Sequence, residues 1–411
     1  MATLTSLEAL DRSQLLALAH EHMLSGLLAV KAVTPLLFVG GDLPLEEQPL
    51  LSIDQWMGAS PVYSARLKEA MVFDGDDVPT IFKALQLDVG FVHQYMDVKY
   101  QVNAPYDGEF WLPHCGALLD VEPFGEDMVF NMCHTIEDPT FDATALAHNP
   151  KAQIRPIHRP PRIPVNRDPH CHWTLKIDEA NPPVPPIPRT DQVRALALAS
   201  LPNQRSGNRT DGRDDYTGEF DPEFRLTGLS TSALRALAVE FAVQTHLLIA
   251  SNEFGIADRA DVATARRLQE DGWVSLSWIL AERLVGNLSL GSGPEAAASA
   301  LALTAAIPPG FDRDVDLEGP HLSMTLIPRH AGLLDPEHPG WVGSLARGSS
   351  TPYENTVRGA GMDLVHSSVD VIDGVINVEL DLTEAASDRV EPDAVQLSRI
   401  GLAAGWRFAL V

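Results

Sequence analysis

Cysteine is scarce in this 411-residue chain: there are three, an odd number. That excludes a disulfide scaffold and leads us to expect reduced thiols in a cytoplasmic protein. Positive charge is scarce as well. Thirty Lys and Arg stand against 56 Asp and Glu, a formal charge of −26. A surface that acidic repels phosphate backbones and anionic headgroups, so neither nucleic acid nor a membrane is expected as partner. Long apolar runs are missing. The stretch 15–30 is interrupted by His20, Glu21 and His22, and 239–250 by Glu240, Gln244 and His246; none reaches the ~20 residues of a bilayer span. The first residues carry no basic region followed by an apolar one, so no secretory signal is expected. Several catalytic motifs are absent too. There is no GxGxxG or Walker sequence and no GxSxG elbow, and the helices expected around Glu240, His246 and Glu253 hold no ExxH pair, which removes support for a dinucleotide site, a serine-hydrolase elbow or a di-iron bundle.

What is present is a globular composition, 45% apolar and 21% charged, at a length that suits two or three domains. Leu15, Leu18, Met23, Leu27 and Val30 recur at helical spacing and predict a helix over ~6–34, stopped by Pro35. The stretch 36–60 reads as loop, ~62–72 as a helix and Val78–Tyr100 as a third. From 110 to 178 short apolar runs alternate with Pro, Gly and Asn, predicting strands and loops, with a half-buried strand at His172–Ile177. Residues 179–228 hold a proline segment and a polar run and read as a linker. Helices follow at 230–250, 258–286 and 294–306. Strands are then predicted at Leu322–Ile327 and Asp363–Leu382, the latter turning back at Asp373-Gly374.

The fold class expected is therefore α+β, with two helix-then-sheet halves, 1–178 and 229–411, forming a degenerate internal duplication and a pseudo-dimer. Pro113–Glu122 aligns without gaps on Pro328–Glu337, sharing Pro, Leu, Leu, Asp and Glu. Every cysteine lies in the first half, which marks it as the active one. A homodimer is compatible with this composition.

All three cysteines have a histidine beside them: His114-Cys115, Cys133-His134 and His170-Cys171-His172. Six of the fourteen histidines share this 59-residue window. Thiolate and imidazole are ligands for zinc or iron, and Cys115, Cys133, Cys171 and His172 make a possible tetrahedral set. Strand alternation opposes Cys171 and Trp173 to His170 and His172, so only one of each Cys-His pair can ligate. Taken singly, each cysteine is ordinarily a small buried hydrophobe. Asp120 and Glu137 follow Cys115 and Cys133, as expected of proton-shuttling carboxylates, with His134 a third acid–base candidate. Arg155, His158, Arg159 and Arg162 form a basic island that either binds an anionic substrate or pairs with surface carboxylates.

The order of Cys115, Cys133, Asn149-Pro150 and Cys171-His172-Trp173 resembles the L-2-amino-thiazoline-4-carboxylic acid hydrolase-like domain, itself similar to the 4-vinyl reductase domain. The likeness spans about residues 75–178. It implies an α+β domain with a cysteine site, zinc among its cofactors, and a small-molecule hydrolase or lyase. The extra histidines depart from the pattern. The expectation is a metal- or thiolate-dependent enzyme acting on a small, anionic substrate. The alternative is a ligand-binding, sensor or accessory protein whose metal is structural.

Overall fold

The structure is a computed structural model that describes residues 3–203 and 211–409, with the side chains at 35, 38 and 39 left aside. Part of the polar run in the linker, 204–210, lies outside the described residues.

Local signals account for most element ends. Helix α1 (Arg12–Gly40) opens on a capping box. The Asp11 carboxylate accepts the Gln14 N–H at 2.9 Å, and Gln14 Oε1 accepts the Asp11 N–H at 3.1 Å. It runs through position 35 and ends at Gly41, at φ +66°. The stop predicted at Pro35 and the loop predicted for 36–60 are both corrected, since α2 (Glu47–Ala70) fills that stretch and encloses Pro61. Buried packing against other helices outweighs the cost of a proline there. The helix predicted over Val78–Tyr100 is also shorter. Asp77 caps α3 (Val78–Leu85) through Thr80 N–H at 3.0 Å. The chain then turns at Asp88, whose Oδ1 takes the Gly90 N–H at 2.7 Å. Gln94 adopts φ +69°, and strand β1 (Met96–Ala104) begins.

Strand β2 (Asp107–Cys115) follows as a hairpin. Helices α4 (Gly116–Val121), α5 (Glu126–Phe130) and α6 (Glu137–Leu146) come next, α5 and α6 being joined by a π-helical segment over Asn131–Ile136. Strands β3 (Ala152–His158) and β4 (Cys171–Ile177) complete an antiparallel sheet of order β1-β2-β4-β3. The alternation predicted for β4 is present, with Cys171, Trp173 and Leu175 buried.

After α7 (Pro188–Arg194), the second half repeats the plan. Its helices are α8 (Thr231–Arg259), capped by Ser230, α9 (Val262–Asn287) and α10 (Pro294–Leu303). A hairpin of β5 (Phe311–Glu318) and β6 (His321–Pro328) follows, then α11 (Trp341–Ala346) and α12 (Thr351–Gly359). The hairpin of β7 (Met362–Ile372) and β8 (Val375–Glu384) turns at Asp373-Gly374, φ +52° and +79°. Helix α13 (Asp393–Ser398) leads to the C-terminal segment. The second sheet has order β5-β6-β8-β7, the same as the first. The Pro113 and Pro328 segments fall at the same place, the exit of the second strand. In each, the third residue caps the following turn: Cys115 Sγ accepts the Leu118 N–H at 3.3 Å, and His330 Nδ1 accepts the Gly332 N–H at 3.1 Å.

The helices of the two halves pack on one another around one core, α1 lying against α8 and α9. His22 bridges Ala238 O and Leu303 O at 2.8 and 2.9 Å, and Arg283 reaches Glu21 at 2.6 Å. Tyr216, fully buried, ties the linker to the first half through Met71 O at 2.7 Å. Of the described helices, α8 alone is long and apolar enough to cross a membrane, and 89% of its apolar window is buried inside the protein.

Candidate functional site

Three segments bring the cysteines to the inner side of the first sheet. Cys115 ends β2 and caps α4. Gly116, next to it, must be glycine, because a Cβ there would stand 2.4 Å from the Tyr95 ring. Cys133 sits in the π-helical segment, a distortion that frequently accompanies function. Cys171 opens β4 opposite Leu112. All three are free and buried.

Glu137, at the start of α6, is the carboxyl common to all three. Its charge disfavours ionisation of each thiol. Its Oε2 is sealed from solvent and has no hydrogen-bond partner. Burial, opposed by Arg159 and reinforced by Asp138, pushes the Glu137 carboxyl up to about 8. Burial first, and Glu137 second, push Cys115 up to about 12 and raise Cys133 and Cys171 as well. At neutral pH the cluster is therefore three thiols and a carboxylic acid, all uncharged. A thiolate nucleophile is not what this environment prepares. Thiol reagents are accordingly expected to react with the native protein far more slowly than with free cysteine at pH 8, and to titrate three equivalents after unfolding. Rapid labelling of one thiol in the native state would overturn this assignment.

The other residues singled out in the sequence divide. Arg155 Nη1 reaches both oxygens of Asp142 at 2.9 Å, and Arg162 grips Glu122 through Nε and Nη2 at 2.8–3.0 Å. These two arginines are occupied by carboxylates. Arg159 pairs with Asp138, but its guanidinium lies 5.9 Å from the Trp173 ring, and its charge bears on Glu137 and Cys133. It is the cation of the island that belongs to the thiol pocket. His134 turns away from the sulfurs, stacking on Phe130 at 4.3 Å and meeting Pro160 O at 2.6 Å. His172 faces the outer side of the sheet, 2.9 Å from Glu109, and His158 lies beside it with ring centroids 6.1 Å apart. His172 is thus separated from Cys171 by the pleat.

Zinc or iron suits the donor types, but the placement does not complete a site. Among the described residues no group of three His, Cys, Asp or Glu side chains is arranged to hold one cation.

Asp120 belongs to a second cluster on the far side of Cys115, which sequence reasoning missed. The Tyr95 hydroxyl donates to Asp120, Lys31 pairs with the same carboxylate, and Lys31 Nζ donates to Tyr95 Oη at 2.9 Å. The Leu402 N–H also donates to Asp120. Trp406 covers the group, its ring 5.3 Å from Tyr95 and 5.5 Å from His114. An isolated lysine in a helix gives no signal of such a partner.

A cavity of about 620 Å³ lies elsewhere, between α2 and the segment 186–203, with Arg66, Glu69 and Arg194 in its wall. Arg66 spends its donors on Glu240, Ala199 O, Leu201 O and Asn203, and Arg194 pairs with Asp191 at the exposed edge. Four perturbed acid–base groups gather instead at the thiols, Glu137 and the three cysteines. No family model, no curated protein and no solved structure matches this chain.

Proposed function

We propose that this protein is an enzyme performing acid–base chemistry, hydrolysis or elimination, on a small carboxylate-bearing molecule at the pocket of Glu137 and the three thiols. The observation that carries this is Glu137 Oε2, buried without a partner among Cys115, Cys133 and Cys171. An unsatisfied buried oxygen costs about 1–3 kcal/mol, a cost that proteins carry where the group works. A carboxyl held near pH 8 is protonated in the resting state and can donate to a leaving group, then accept from water. Arg159 supports the anionic substrate, since one of its nitrogens holds Asp138 and the rest of its guanidinium lies over Trp173. The neutral thiols supply a soft, apolar lining.

The resemblance noted above selects the first probe, 2-amino-thiazoline-4-carboxylate, with related small heterocyclic acids beside it. Wild type is expected to consume one of them. Arg159→Ala is expected to raise KM, more at low salt, while Arg155→Ala, which breaks the Asp142 pair and a bond to Ile154 O, leaves KM unchanged. Equal effects of both substitutions would sink the assignment of Arg159.

A second reading rests on the donor types alone: a structural zinc on the three cysteines in a ligand-binding or accessory protein. It requires the side chains to move together. Stoichiometric zinc in the purified protein, with no thiol free to titrate, would establish it.

A further inference from the structure

The chain contains six lysines against 24 arginines. Buried ion pairs between the two halves use arginine, as in Arg66–Glu240 and Arg283–Glu21. That is the expected choice, because a guanidinium keeps its proton and forks onto a carboxylate. Lys83 and Lys151 donate to backbone carbonyls, and Lys68, Lys99 and Lys176 pair with Asp74, Asp97 and Asp107. Lys31 differs from these five. It meets a tyrosine hydroxyl and a buried carboxylate together, and the side chain remains 24% exposed while Tyr95 is fully buried and Asp120 nearly so. An amine in that position can give up its proton, which an arginine cannot.

We propose that Lys31, Tyr95 and Asp120 form a second reactive site, in which Lys31 captures small aldehydes or 2-oxo acids as an imine. Asp120 accepts the proton that frees the Lys31 amine. The nitrogen lone pair then attacks the carbonyl carbon, and the C=O π pair becomes an alkoxide that takes a proton from the Tyr95 hydroxyl. Asp120 returns its proton to Tyr95. The carbinolamine nitrogen is then an –NH2+– group; one of its protons passes through Asp120 and Tyr95 to the hydroxyl, the C–O bond breaks, water leaves, and the freed nitrogen lone pair forms C=N. A protonated imine and one water are the products: of the three ammonium protons one stays on nitrogen and two leave in the water. Burial supports the first step by drawing the Lys31 ammonium down to about 7. The site stands apart from Glu137, and its failure would leave that reading untouched.

Reductive trapping tests it. The full chain is incubated with glyoxylate and cyanoborohydride at pH 7.5, and the modified lysine is located by peptide mass spectrometry. Lys31 is expected to label at least ~10-fold faster than any other lysine, because Asp120 and Tyr95 stand beside its amine to take up and return the protons of the addition. Lys31→Arg keeps the charge next to Asp120 and should abolish only this label. Tyr95→Phe should slow it by about 10-fold or more, with the circular dichroism spectrum unchanged. Labelling that follows exposure, with Lys176 foremost at 59%, would overturn the proposal.

Discussion

Glu137→Gln is expected to stabilise the protein at pH 8 and to abolish turnover. The folded carboxyl titrates near 8 and its unfolded counterpart near 4.5. Between those values the folded state binds more protons than the unfolded one, so this group's contribution to stability falls as pH rises from 4.5 to 8 and is constant above. At ~1.4 kcal/mol per pKa unit, the full loss is on the order of 4–5 kcal/mol. Glutamine has the same shape and never ionises, so it escapes the loss. The variant and wild type should have similar stability at pH 5 and diverge up to pH 9, the variant being the more stable. Denaturant midpoints across that range provide the measurement. Parallel curves would mean that Glu137 is an ordinary solvated carboxylate. Turnover of any accepted substrate should fall by about 100-fold or more, the usual contribution of a general acid or base. Higher stability together with lost activity is the mark of a residue retained for chemistry; lower stability with unchanged activity would make it structural.

Arg66→Met is expected to destabilise the protein by roughly 3–5 kcal/mol at pH 7. Arg66 on α2 holds Glu240 on α8 at 2.6 and 3.0 Å, and both are buried. Its other nitrogens bind Ala199 O and Leu201 O at 2.9 and 2.7 Å, so one side chain ties α2, α8 and the segment after α7. Methionine fills much of the volume but leaves the Glu240 carboxylate unpaired. Burial already raises Glu240 despite Arg66; without the arginine it rises further and takes up a proton as pH falls. The loss should therefore shrink toward pH 4–5. Arg66→Met with Glu240→Leu should recover most of the stability, because an apolar pair of similar volume replaces both charges. A double variant no more stable than the single one would show that the carbonyl contacts, not the ion pair, carry the effect.

Parts of the fold are legible because their causes lie within a few residues. Ser230 caps α8 through the Ala233 N–H at 3.2 Å, as a serine ahead of an apolar helical run should. Asp373-Gly374 turns the β7–β8 hairpin with both residues at positive φ. Cys171-His172-Trp173 alternates as written. Other parts failed for an equally physical reason. The apolar periodicity of Val78–Tyr100 continues past Leu85, yet the chain leaves the helix there and turns at Asp88 and Gly90 because the strand after it must pair with β2. At 36–60 the polar and proline residues suggested a loop, but α2 gains enough burial against α8 to stay helical.

The candidate site divides along the same line. The grouping of Cys115, Cys133 and Cys171 with Glu137 is visible in the chain as a local enrichment of thiol, imidazole and carboxyl. The order of helices and hairpins and the capped helix starts are likewise determined by residues close together in sequence, because backbone hydrogen bonds and apolar periodicity act over three or four positions. Tertiary structure decided everything that depends on a distant partner. It assigned Arg155 to Asp142 and Arg162 to Glu122, turned His172 toward Glu109, and brought Lys31 to Tyr95 and Asp120. It also decided protonation: a thiol or carboxyl is shifted by the solvent it loses and the charges it meets, and both are properties of the packed core.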